Sequence, residues 1–175
     1  MHLKENVKLY LDRKIIDKKV RQLAERISDD YTGKNPLFVG VLNGSFIFLA
    51  DLVRRVKVSC EIDFLKLSSY RDNNISSGNI VLLKDLESHI AGREVIVVED
   101  IIDSGLSIKF IRELIMSHKP NSLEFVSLLL KKGVSNLNFK IKYIGFKIPN
   151  KFVVGYGLDY AQKYRNLKSI YILQN

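Results

Sequence analysis

Cysteine is almost absent from this chain: Cys60 is the only one. A single thiol excludes an internal disulfide framework and suits a reducing compartment. Its neighbours Val58, Ile62 and Phe64 predict a buried structural thiol rather than a nucleophile. Histidine is scarce as well. His2, His89 and His118 lie away from the thiol and from one another, so neither a Cys–His catalytic pairing nor a zinc-ligand cluster is visible. No apolar run is long enough to span a bilayer, and the opening stretch MHLKENVKLYLDRK has no apolar core of signal-peptide length; a cytoplasmic protein with no membrane partner is expected. Tandem repeats, low-complexity tracts and linker-like segments are also missing. One domain over residues 1–175 is therefore expected, long enough to bury a core without a staple.

Positive charge is what the chain has in excess, with 28 basic against 19 acidic residues and a net charge of +9. The basic residues fall in short groups such as Lys18-Lys19, Arg54-Arg55 and Lys131-Lys132, followed by Lys147 and Lys151. No long arm or aromatic-interleaved stripe forms, so a nucleic-acid partner is not expected. A solvated basic surface and attraction for a phosphorylated substrate remain as readings.

Apolar periodicity predicts an α/β fold. Residues 15–31 place Ile15, Ile16, Val20, Leu23, Ala24 and Ile27 along one helical side, and 46–56 read as a second helix. LFVGVL (37–42) and EVIVVED (94–100) are continuous apolar runs, the mark of strands covered on both faces. KVSCEIDFLKL (57–67) alternates and predicts a strand with one exposed face, and NIVLLKDL (79–86) predicts another. A helix with Ile108, Ile111, Leu114 and Ile115 on one face follows the turn after residue 100. LEFVSLLLKK (123–132), IKYIGFKI (141–148), FVVGYG (152–157) and SIYILQ (169–174) complete the strands. Strands alternating with helices indicate a mostly parallel sheet flanked by helices, and the strand-rich tail suggests a small added subdomain.

The most informative stretch is VIVVEDIIDSGLS (95–107). Its apolar run delivers Glu99 and Asp100 to the carboxyl end of a central strand, the edge at which open α/β sheets bind ligands. Small residues and Gly105 then let backbone N–H groups converge at a helix N-terminus, a natural phosphate cradle to which Ser104 and Ser107 add hydroxyls. The carboxylates beside it would suit a sugar diol or a bound Mg²⁺. The other reading is that Glu99, Asp100 and Asp103 simply cap the next helix and favour its dipole.

The same stretch resembles the phosphoribosyl pyrophosphate signature of the type I phosphoribosyltransferases, in the form typical of the hypoxanthine-guanine branch. The resemblance extends to VGVLNGSFIFLADLVRR (39–55), to the loop LSSYRDNNISSGN (67–79), to SLLLKKG (127–133) and to IGFKIPNKFVVGYGLDYAQKYRNL (144–167). It implies a parallel sheet with a small hood and a purine-salvage transferase. Such an enzyme is a glycosyltransferase that moves 5-phosphoribosyl from phosphoribosyl pyrophosphate to a 6-oxopurine, with Mg²⁺ as cofactor and a homodimer or homotetramer as assembly.

The resemblance also implies roles. Glu99 and Asp100 would hold the ribose hydroxyls directly or through Mg²⁺, and Asp103, Ser104, Gly105, Leu106 and Ser107 would wrap the 5′-phosphate. Asp103 would exchange a proton with N7 of the purine. Asn43 and Gly44 would offer backbone groups to pyrophosphate after a non-proline cis bond, and Arg165 would bind the same group. Asn43 stands where many relatives carry lysine, which removes a charge from that contact. Lys131 would donate to O6, a contact that rejects adenine. Phe152 would stack on the purine, Val153 would touch its edge, and Asp159 would serve a second metal and pyrophosphate. Ser69 and Tyr70 would belong to a lid that excludes water.

Three rivals stand beside this reading. A regulator could bind the same sugar phosphate without turning it over, but it would not be expected to keep Lys131, Phe152, Val153 and Asp159 together. A receiver domain would gather its acids near the N-terminus, whereas these begin at residue 99. A phosphoribosyltransferase for another base remains, with Lys131 opposing adenine.

Overall fold

The computed structural model describes residues 7–69, 80–133 and 137–174. Six strands form the central sheet: β2 (Leu37–Leu42), β3 (Glu61–Ser69), β4 (Ile80–Lys84), β5 (Glu94–Ile102), β6 (Ser122–Lys131) and β7 (Tyr143–Ile148). They lie in the order β4-β3-β2-β5-β6-β7, parallel throughout except for the β3–β4 pair. Helices α1 (Arg13–Asp30) and α2 (Phe46–Val53) cover one face, and α3 (Leu106–Ser117) covers the other.

Cover on both faces is why β5 is apolar without alternation. Ile96 and Val98 pack with α1 and α2, while Val95 and Val97 pack with Ile108, Ile111 and Ile115 of α3. Each of those isoleucines, fully buried, contributes about 1.5–3 kcal/mol. Helix α1 begins at Asp12, whose carboxylate accepts the Lys14 N–H at 2.8 Å. Its buried stripe runs through Ile16, Val20, Leu23, Ala24 and Ile27. Ile15, expected on that stripe, is exposed because it sits one residue, about 100°, off its centre.

Strand β3 departs further from expectation. It begins at Glu61 rather than Lys57, and its Ile62 is exposed while Asp63 is buried. The Asp63 carboxylate accepts backbone N–H groups from Phe64, Glu87 and Ser88, which is what permits a charge there. Cys60 precedes the strand and is only half-buried; burial still raises its thiol pKa.

A second sheet of three antiparallel strands, β1 (Val7–Leu11), β9 (Ile170–Leu173) and β8 (Val153–Val154), stands in the order β1-β9-β8. It is the hood anticipated from the strand-rich tail, with two differences. The segment 143–148 joins the main sheet instead, and the opening stretch, read without an element, supplies β1. Only two residues of FVVGYG are strand. Gly155, Tyr156 and Gly157 follow with φ of 98°, 53° and 100°, outside the extended region. No helix among the described residues is long and apolar enough to cross a membrane.

Candidate active site

Because β2, β5 and β6 are parallel, their carboxyl ends share one edge of the sheet. Three segments with chemistry leave from it: residues 43–45 after β2, residues 103–105 after β5, and Lys131 at the end of β6. The hood adds Val153 from β8 and Phe152 just before it, with Asp159 and Arg165 from the chain beyond.

A cleft of about 220 Å³ opens over the turn after β5. Glu99, Asp103, Ser104, Gly105 and Ser107 line it, with Leu67, Ser68 and Ile80 as the facing wall. Gly105 occupies the N-cap position of α3 at φ 83°, a left-handed conformation that favours glycine. No carboxylate caps this helix: its first turn carries no acid, and the side chain that accepts the Leu106 N–H, at 3.4 Å, is Ser104. Among the described residues no hydrogen bond supports capping by Glu99, Asp100 or Asp103, and the N-terminus of α3 borders the cleft. Ser68 and Ile80 stand near the two ends of the chain expected to form a lid. Tyr70, residues 71–78 and the side chain of Ser69 lie outside the described residues.

Glu99 is 7% exposed, and its carboxyl group meets that of Asp100. Burial raises both pKa values, most strongly that of Glu99, where the neighbouring Asp100 charge adds to the effect. Among the described residues no basic side chain lies within ion-pair distance of either. Asp100 sits directly under the loop after β2. A Cβ on Gly44 would lie 1.8 Å from Asp100 Oδ2, so no other residue fits at Gly44 without displacement. The Leu42–Asn43 peptide is cis, as expected, and Asn43 is exposed.

The hood presses on that loop from above. A Cβ on Gly157 would lie 2.1 Å from the Gly44 carbonyl oxygen. The Gly157 carbonyl in turn accepts Arg165 Nη1–H at 2.8 Å, and Arg165 Nη2 pairs with Asp159 Oδ1 at 2.7 Å. Asp100, Gly44, Gly157, Arg165 and Asp159 thus form one continuous stack. It does not make Glu99, Asp100 and Asp159 a single metal site: no group of three ligating side chains converges among the described residues.

On the other side of the cleft, Lys131 reaches from β6 to Asp103, with Nζ 2.8 Å from Oδ2. The pair is lopsided, since the lysine side chain is 9% exposed and the aspartate 63%. Phe152 is 51% exposed and meets Tyr160 edge-on at 5.8 Å between centroids, while Val153 is buried. Sequence reasoning missed Tyr160, the wall formed by Leu67 and Ser68, and the Tyr156–Asp51 contact described below. The bulky tyrosine between two glycines was the one signal that could have drawn attention to the last.

This arrangement has a phosphate-sized turn, an acidic pair, a glycine-lined loop and a lysine–aspartate pair on one sheet edge. A family model described as the phosphoribosyl transferase domain matches residues 6–161. The hypoxanthine-guanine phosphoribosyltransferase of Bacillus subtilis is 40% identical over 95% of this chain and 93% of its own length. A crystal structure of a hypoxanthine-guanine phosphoribosyltransferase from Bacillus anthracis, with a HEPES molecule in its active site, superposes with a TM-score of 0.91. It is 42% identical and covers 97% of this chain and 99% of that one. The bifunctional protein TilS/HprT of Listeria monocytogenes is 44% identical over 95% of this chain, which spans only 26% of that longer protein. The chain therefore belongs to the phosphoribosyltransferases, in the hypoxanthine-guanine branch that these relatives define.

Proposed function

We propose that the chain transfers 5-phosphoribosyl from phosphoribosyl pyrophosphate to hypoxanthine or guanine, giving IMP or GMP and pyrophosphate. The observation that carries this reading is the Lys131–Asp103 pair beside the phosphate turn. The N7–H tautomer of a free 6-oxopurine presents O6 as an acceptor and N7–H as a donor side by side on one edge. A buried lysine donor and an exposed carboxylate 2.8 Å apart match that edge, the lysine to O6 and the aspartate to a proton on N7. Adenine places an amino group opposite the lysine and leaves the cation unpaired.

The other roles follow from position. The backbone of residues 103–107, with the hydroxyls of Ser104 and Ser107, receives the 5′-phosphate at the N-terminus of α3. Glu99 and Asp100 accept from the ribose hydroxyls. Asn43, Gly44 and Arg165 face the pyrophosphate, with backbone groups serving where a lysine charge is missing. Phe152 offers its exposed ring to the purine face and Val153 its backbone to the purine edge.

Mg²⁺ would enter with the pyrophosphate and neutralise the departing charge. The donor set fits it, because Glu99 and Asp100 are adjoining carboxylates with no basic side chain in ion-pair distance among the described residues. Too few side chains converge to hold the ion alone, so substrate oxygens and water must complete its shell. Asp159 already faces Arg165 and is the weakest of the three donors. As positive character builds on the ribose ring, the acidic pair stabilises it and the purine nitrogen attacks from the opposite face. Ser69 and Tyr70 would belong to the lid that excludes water. A cytoplasmic homodimer or homotetramer engaged in purine salvage completes the reading.

A pyrophosphate-release assay with Mg²⁺ and each of hypoxanthine, guanine, xanthine and adenine tests it. Release with an oxopurine and none with adenine is expected. No release with any oxopurine overturns the assignment.

A further inference from the structure

Tyr156 does not line the cleft over the β5 turn, yet it is only 6% exposed and holds a φ of 53° between two glycines that also have positive φ. Its hydroxyl donates to Asp51 Oδ2 at 2.7 Å, across 105 positions of sequence. Asp51 lies on α2, the helix that begins directly after the loop carrying Gly44. The other oxygen of that carboxylate faces Arg54 and Arg55, and Arg55 also donates to the Asp51 carbonyl at 2.7 Å and reaches Asp17 on α1. The acceptor is therefore fixed by two helices before the tyrosine meets it.

The turn that Tyr156 anchors has purine-side residues before it and pyrophosphate-side residues after it. Phe152 and Val153 run into it, and Asp159 and Arg165 follow. Its next residue, Gly157, rests on the Gly44 carbonyl with no room for a Cβ. We infer that Tyr156 and Asp51 are positioning residues: their hydroxyl–carboxylate contact clamps the hood turn to α2 and so fixes the Gly44 loop against Asp100. The kinetic consequence rests on the proposed reaction; the structural consequence does not.

Tyr156→Phe removes only the hydroxyl, and Asp51→Ala removes its acceptor. Asp51→Asn keeps a carbonyl oxygen that the hydroxyl can still use. In the first two variants, amide hydrogen exchange over residues 43–46 should accelerate about tenfold, as loss of one charge-assisted hydrogen bond allows. KM for phosphoribosyl pyrophosphate should rise by about the same factor while kcat changes less. Asp51→Asn leaves one uncharged acceptor oxygen, so its shifts in both measurements should be smaller than those of Asp51→Ala. A lowered melting temperature with unchanged exchange at 43–46 would mean a merely structural contact and overturn the inference. A wild-type protein that releases no pyrophosphate would sink the proposed reaction, and the exchange measurement would still decide the clamp.

Discussion

The two sides of the cleft are built in opposite ways. On the side proposed for pyrophosphate, Asp100, Gly44, Gly157, Arg165 and Asp159 are stacked so closely that two glycines have no room for a methyl group. On the side proposed for the purine, a single ion pair spans Lys131 and Asp103, and Phe152 is half exposed with one edge-on neighbour among the described residues. The first side is already closely packed. In the proposed reaction the second would exchange the Lys131–Asp103 contact for contacts to the base, so rigidity would fall where a highly charged leaving group is held in one geometry and looseness where a neutral ring enters.

Breaking the loose side should have the largest effect on rate. Asp103→Asn keeps the shape of the side chain but removes its proton exchange, so kcat should fall about 10²- to 10⁴-fold with a smaller change in KM. Equal losses in kcat and in substrate affinity, measured by steady-state kinetics and calorimetry, would argue against proton transfer. Breaking the rigid side should act on fold and function together. Gly44→Ala forces a methyl group onto Asp100 and should cost about 1–3 kcal/mol, read as a lower melting temperature alongside weaker pyrophosphate binding. Lys131→Gln can present either a donor or an acceptor. It should cut the preference for hypoxanthine over adenine by about tenfold or more in kcat/KM, with pyrophosphate affinity unmoved.

The smallest effect tests a region outside both sides. Burial works against the Asp63 charge, but N–H groups of Ser88, Phe64 and Glu87 more than offset it, and the carboxyl pKa is held below its ordinary value. A depressed folded value contributes stability above the unfolded pKa, near 3.9, and that contribution is lost as pH falls through the folded value. Asp63→Ala should therefore lower stability by about 2 kcal/mol at pH 7, with the gap closing in acid, and leave kcat unchanged. A gap that persists below pH 3 in thermal melts would assign the loss to packing.

Much of this was legible beforehand because it depends on local pattern. The continuous apolar run at 95–98 gave away a strand covered on both faces, and the stripe of Ile16, Val20, Leu23 and Ile27 gave away α1. What escaped depends on partners far along the chain. VKLYL alternates over only five residues, its Leu9 is exposed and its register shifts between Leu9 and Leu11, so its strand character rests on pairing with β9. Ile62 and Asp63 exchange their expected places because backbone donors at 87 and 88 reach the carboxylate. FVVGYG has the composition of a strand, but after Val154 the chain must turn to rest on Gly44. The site residues were named from motifs. Their pairing, Lys131 with Asp103 and Arg165 with both Asp159 and Gly157, came only from the three-dimensional arrangement.

The pairing of β1 with β9 also bears on the order in which the molecule assembles. Val7 faces Leu173, and the Arg13 N–H meets Ser169 Oγ across 156 positions. Closing so long a loop carries a large entropic cost before any contact repays it. The parallel sheet, whose strands are joined by shorter crossovers, can form first. The turns after β2, β5 and β6 would thus be in place while the Gly157–Gly44 stack and Phe152 still wait for β9 to complete the hood.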